Sequence, residues 1–140
     1  MHCKHFMQGP IVTATVHDTV AFAARLMRES RVGIIPVVDD GGHLMGTITE
    51  RDIVRDVVGL GLGTDLKLSL VAKRPVRCAL RDSLTVAEAK MVQQGIDHVV
   101  VCDDAGIPRG VIGVMDLARN EDPRVAATVF FRLAAKEARS

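Results

Sequence analysis

The chain has 140 residues, 18 basic against 17 acidic side chains for a net charge of +1, and 48% hydrophobic content. That length fits one compact domain or two very small ones, and the composition can bury a core and excludes a disordered chain. Balanced charge, no Trp or Tyr and only four Phe argue against a protein that neutralises many phosphates or stacks bases, so no nucleic-acid partner is expected.

In chain order, residues 1–10 lack the apolar run of a signal peptide. No apolar stretch approaches ~20 residues, so no membrane span is expected. Cys3, Cys78 and Cys102 form an odd, scattered set rather than a disulfide framework, which fits a reducing, cytoplasmic location. A strand is predicted over 11–15. A helix follows from Asp18-Thr19, both good caps, with Val20, Ala23, Ala24 and Met27 on one face. A β-branched run over 32–38 reaches the turn signal Asp39-Asp40-Gly41-Gly42, then a strand over 44–48 and a second helix from Glu50. The run Gly59-Leu60-Gly61-Leu62-Gly63-Thr64 predicts a flexible link.

The pattern then recurs. A strand over 76–79 precedes a helix capped by Asp82-Ser83, with Leu84, Ala87 and Met91 on its apolar face. A run over 96–102, the turn Asp103-Asp104-Ala105-Gly106, a strand over 110–114 and a helix near Met115 complete it. Asp18 and Asp82 lie 64 positions apart, and at that offset Met27 meets Met91, Val37 Val101, Gly42 Gly106, Gly46 Gly110, Ile48 Ile112 and Asp52 Asp116. No gap is needed between Asp18 and Asp52; Pro10 and Pro75 require one inserted residue in the first copy. Each β-α-β-β-α unit is small for an independent core, so two copies are expected to pack sheet to sheet as one pseudo-symmetric α/β (α+β) domain. The expected division is repeat 1 over 1–58, a linker over 59–65, repeat 2 over 66–119 and a C-terminal helix over 120–140. That helix has Asp122 as cap, Pro123 at its first position and an apolar stripe of Val125, Val129, Phe130 and Leu133.

The segments Ile35-Pro36-Val37-Val38-Asp39 and Gly46-Thr47-Ile48-Thr49-Glu50-Arg51-Asp52, with their counterparts Val99-Val100-Val101-Cys102-Asp103 and Gly110-Val111-Ile112-Gly113-Val114-Met115-Asp116, resemble a tandem CBS domain pair over roughly residues 4–119. The arrangement is similar to small bacterial CBS-pair proteins that carry little else. The resemblance implies a regulatory Bateman module in signal transduction. It implies a flat homodimer and a ligand such as AMP, ADP, ATP or S-adenosylmethionine, with no cofactor required. Any regulated partner is then a separate, unidentified protein. The alternative is a ligand-free dimeric interaction protein. Catalysis is not expected: there is no nucleophile–base pair, no paired catalytic carboxylates, no P-loop and no G-x-G-x-x-G.

By the same resemblance, Asp52 of Thr49-x-x-Asp52 accepts bonds from two ribose hydroxyls, the Thr49 hydroxyl faces ribose or phosphate, and Arg51 adds charge for a phosphate. The following helix start suits an anion. The same four residues also fit a purely structural capping box. In the family each cleft joins one repeat's segment to the other's strands. The Asp52 cleft then draws on Arg77, Cys78, Ala79, His98, Val99 and Val100, with His98 and Arg77 as phosphate contacts. The Asp116 cleft draws on Thr13, Ala14, Ile34, Ile35 and Pro36. Gly113 replaces Thr49 and Ile34 replaces His98, so the expectation is one well-equipped site for a phosphate-bearing ligand and one reduced site. The remaining side chains carry simpler readings. His2, Cys3 and His5 are weak metal candidates, and no metal site is expected. His17 and His43 are solvated turn residues. Cys78 and Cys102 are small buried residues. Met7, Met27, Met45, Met91 and Met115 are core or dimer contacts.

Overall fold

A computed structural model describes residues 2–5, 11–120 and 123–139. The readings placed on Met7, Pro10 and Asp122, and on the side chain of Val125, lie outside what it describes. The chain is a mixed α+β protein with two three-stranded sheets. In the first, β1 (Ala14–Thr15) runs parallel to β2 (Ile34–Val38), which pairs antiparallel with β3 (Leu44–Thr49). The second repeats this with β4 (Arg77–Ala79), β5 (His98–Cys102) and β6 (Pro108–Gly113). Register is preserved to the residue: Val37 pairs with Gly46 as Val101 pairs with Gly110, and at the next pair the ladder skips one residue of the antiparallel partner strand, Met45 in β3 and Arg109 in β6. The β-α-β-β-α order read from the sequence is therefore present twice.

Helix α1 (Val20–Ser30) buries Val20, Ala23 and Met27, and α3 (Leu84–Gln94) buries Leu84, Ala87 and Met91, the i, i+3/i+4, i+7 positions of one helix face. Thr19 caps α1, accepting the Phe22 N–H at 3.1 Å. Ser83 makes no equivalent side-chain bond. Asp18 and Asp82, expected as caps, bond backward instead: they accept the N–H of Thr15 and of Ala79, each at 2.8 Å. The second helices differ. After the single turn α2 (Glu50–Asp52), Ile53–Val58 widens into a π-helix closed by Gly59 N–H on Val54 O at 2.7 Å. In the second repeat α4 (Val114–Asn120) stays α-helical. The C-terminal helix α5 (Pro123–Arg139) buries Val129, but Phe130, expected on its apolar stripe, is exposed.

Two aspartates close the hairpins in the same way. Asp39 accepts the N–H groups of Gly41 and His43, and Asp103 accepts those of Ala105 and Ile107. These main-chain donors, that of His43 foremost for Asp39 and that of Ile107 for Asp103, hold both carboxyls below their ordinary range.

The residues group in space as Val12–Pro75 and as Met1–Ile11 with Val76–Ser140, which differs from the division 1–58 and 66–119 expected along the chain. Each sheet-and-helix layer is completed by a short 3-10 turn that precedes the other repeat. Leu68, in the turn Leu68–Leu70, is fully buried with Val20, Ile35 and Ile48, and its N–H bonds Asp18 O at 2.8 Å. Cys3, in the turn Cys3–His5, is fully buried with Leu84, Val99 and Ile112, and its N–H bonds Asp82 O at 2.9 Å. Beyond Leu68, Thr47 and Lys73 exchange main-chain bonds of 3.0 and 2.8 Å, and a Cβ on Gly46 would lie 2.9 Å from Lys73 O and Ala72 Cβ. The glycine run 59–64, expected to be a flexible link, is also fastened: Leu62 N–H bonds Val57 O and Ala21 N–H bonds Thr64 O.

The residue that caps the C-terminus of α1 shows what the first copy gives up. Arg31 sits at φ 56°, ψ 44°, where the second copy has Gly95 at φ 61°, ψ 47°. A left-handed residue with a Cβ costs about 1–2 kcal/mol, partly offset by the greater chain entropy of unfolded glycine. Arg31→Gly should therefore raise stability by roughly 0.5–1 kcal/mol, read as a higher denaturant midpoint. An unchanged or lower midpoint would show that the Arg31 side chain compensates.

Candidate functional site

Thr49 is the last residue of β3, paired with Ile34, and has extended backbone angles that launch α2. Its N–H donates to Asp52 Oδ2 at 2.9 Å and its Oγ1 accepts the Asp52 N–H at 3.1 Å. The capping box is thus formed, and it fixes the carboxylate at the mouth of the turn. Both residues are half-buried. A carboxylate offers about four acceptor positions, and the cap uses one. Arg51 is exposed on the same turn. Lys73 adds a cation that the repeat comparison did not single out: its Nζ lies 2.9 Å from Asp56 Oδ2. Asp56 foremost, and Asp52 with it, raise its pKa.

In the second repeat Gly113 N–H donates to Asp116 Oδ2 at 2.7 Å, so the backbone half of the cap survives without the hydroxyl. Asp116 is buried, at 5% exposure. His98 stands directly across the sheet from Gly113. A Cβ built on Gly113 would meet His98 Nε2 at 3.1 Å and Asp116 Oδ2 at 3.6 Å. The imidazole therefore occupies the space in which the first repeat holds its threonine side chain. Its Nδ1 lies 2.8 Å from Asp97 Oδ1.

The other site residues fall into two groups. Ala14, Ile35, Cys78 and Val99 turn their side chains into the cores of their own units, so any ligand contact from them is through the backbone. Pro36 and Val100 are also buried, while Ile34 and Ala79 are half-buried and Arg77 is exposed. Thr13 lies just before β1. The second copy pairs Arg77 with Val100, whose N–H bonds Val76 O at 2.9 Å. Pro36 has no N–H to make the matching bond, and β1 is one residue shorter. Of the remaining candidates, His17 pairs with Asp40 and His43 with Asp39 at the surface. Met27 and Met91 are core, whereas Met45 and Met115 are exposed.

The CBS domain family model matches residues 3–59 and 67–122. The chain belongs to the CBS domain family. Its tandem CBS pair is 30% identical over 122 residues to an uncharacterized protein of Methanopyrus kandleri, covering 85% of this chain and 61% of that one. The chain thus spans about three fifths of that relative's length. A CBS domain protein of Pyrobaculum aerophilum, complexed with AMP, superposes with a TM-score of 0.81 at 26% identity, over 96% of this chain and 99% of that one. The CBS domain pair of protein MJ0100, in complex with 5′-methylthioadenosine and S-adenosyl-L-methionine, superposes with a TM-score of 0.76 at 22% identity, over 85% and 94%; it bears on the fold alone. No helix among the described residues is long and apolar enough to cross a membrane.

Within this CBS pair, the three aspartates repeated at Asp18/Asp82, Asp52/Asp116 and Asp39/Asp103 all accept main-chain N–H bonds. Their recurrence is therefore required by turn geometry alone. Of the three pairs, only Asp52 and Asp116 stand in the first turn of a helix that follows directly on a strand.

Proposed function

We propose that this CBS pair is a regulatory module that binds an adenosine-containing ligand and signals to a separate protein. Asp52 accepts the ribose hydroxyls, Thr49 and Arg51 face the phosphate side, and Asp116 offers a second carboxylate. The observation that carries this reading is the Thr49–Asp52 turn. Two reciprocal bonds hold a half-exposed carboxylate in one orientation, so its remaining acceptor positions are preorganised for a diol. The AMP complex of the Pyrobaculum aerophilum relative supports a nucleotide as ligand, and S-adenosylmethionine and ATP follow in the same class.

A ligand that binds only the native state at about a hundred times its Kd stabilises it by about 2.7 kcal/mol. Thermal unfolding with AMP, ADP, ATP or S-adenosylmethionine should therefore show an upward shift of several degrees for at least one of them. Identical curves for all four at millimolar concentration would sink the reading. A second reading, a ligand-free homodimeric interaction protein, is favoured by the exposure of Val54 (62%), Val58 (61%) and Phe131 (77%). In that case Asp52→Ala leaves association unchanged.

A further inference from the structure

Cys3 and Cys78 lie 75 residues apart in sequence, yet their Sγ atoms are 3.6 Å apart, with 0% and 4% of the two residues exposed. We propose that they are a redox-modification site, closing reversibly to a disulfide that staples the N-terminal turn to β4. The backbone already holds the partners in place. Cys3 N–H bonds Asp82 O at 2.9 Å, Lys4 N–H bonds Leu80 O at 3.4 Å, and His2 bridges Ser83. Closure shortens the sulfur separation from 3.6 Å to a bond of about 2.05 Å. The third thiol, Cys102, is excluded by strand alternation. Val99 and Val101 face the same core cluster as Cys3 and Cys78, so Cys102 points to the other face of the sheet.

The two sulfurs are chemically unequal. The Cys78 S–H donates to Cys3 Sγ. That bond lowers the Cys3 pKa and, together with burial, raises that of Cys78. The hydrogen-bond chain runs from Cys78 Sγ to Cys3 Sγ and on to Ser83 O, each step 3.6 Å, and this order assigns Cys3 as the attacking sulfur and Cys78 as the resolving one in the proposed closure. With a hydroperoxide as oxidant, the Cys3 thiolate attacks one peroxide oxygen, the O–O bond breaks, and a sulfenic acid and hydroxide form. The Cys78 sulfur then displaces the sulfenic oxygen, which leaves with the Cys78 proton as water. In sum, two thiols and hydrogen peroxide give one disulfide and two waters, with two electrons passing from the sulfurs to the peroxide. Peroxide reaches the buried pair when the N-terminal turn opens locally.

The test is hydrogen peroxide treatment of the intact native chain, followed by denaturation, thiol alkylation and peptide mapping. The expected result is a monomer lighter by two hydrogens, a Cys3–Cys78 linked peptide, one alkylated thiol at Cys102, and full reversal by dithiothreitol. In Cys78→Ser the sulfenic acid on Cys3 should persist and be trapped by a cyclic dione, whereas Cys102→Ser should still form the link. Three alkylated thiols after treatment, a link to Cys102, or only intermolecular links would each overturn the proposal.

Discussion

Asp52→Ala should weaken binding of AMP roughly a hundredfold or more. A hydrogen bond to a charged acceptor contributes about 1.5–3 kcal/mol. Two ribose hydroxyls on one carboxylate therefore amount to roughly 3–6 kcal/mol, and each 1.4 kcal/mol is a factor of about ten in Kd. The same substitution also deletes half of the capping box, at a cost of about 1 kcal/mol in stability. Thr49→Ala separates the two effects, because it removes the bond that Oγ1 accepts from Asp52 N–H and leaves the carboxylate in place. Calorimetric titration well below the unfolding transition should show Asp52→Ala far weaker than Thr49→Ala. Equal, small losses in both variants would reduce Asp52 to a helix cap and remove the main support for the ligand reading.

The second large effect concerns Gly113. A single added Cβ already approaches His98 Nε2 to 3.1 Å and Cδ2 to 3.2 Å, and threonine adds two further heavy atoms. Gly113→Thr should therefore destabilise the protein by about 1–3 kcal/mol through overpacking. His98→Ile in the same chain reproduces the cross-strand pair Ile34–Thr49 of the first repeat and should recover most of the loss. A double-mutant cycle by urea denaturation then gives a favourable interaction energy of about 0.5–3 kcal/mol. Strict additivity of the two substitutions would show that the imidazole simply swings aside.

That pair marks where reading along the chain reached its limit. In sequence, Thr49 against Gly113 and Ile34 against His98 are two separate differences, 15 residues apart within each copy. Across the sheet they are one difference, because His98 and Gly113 occupy opposed positions. Gly113 then follows from the room that His98 needs, rather than recording only a lost hydroxyl. His98 and Asp116 both border the position that a Cβ on Gly113 would take, in their own repeat. The capping reading of Thr49-x-x-Asp52 is realised in full. It positions the carboxylate that a ligand would use, so the structural and binding roles are not alternatives.

The repeat, its β-α-β-β-α order, the apolar faces of both helices and the hairpin turns were all legible from residue spacing. Their causes are local: side chains alternate along a strand, recur every three to four residues on a helix, and bond neighbouring amides at a turn. The 64-residue offset carried this through, since each copy obeys the same local rules. Which segment completes which layer was not legible. Leu68 and Cys3 lie beyond the reach of periodicity in segments of three residues, and each precedes the repeat it does not cover. Their placement depends on which core has an unfilled position and which main-chain groups need partners, here Asp18 O and Asp82 O. Those demands arise only once each sheet and helix have closed on one another, so packing decided the N-terminal exchange, the His98–Gly113 pairing and the meeting of Cys3 with Cys78.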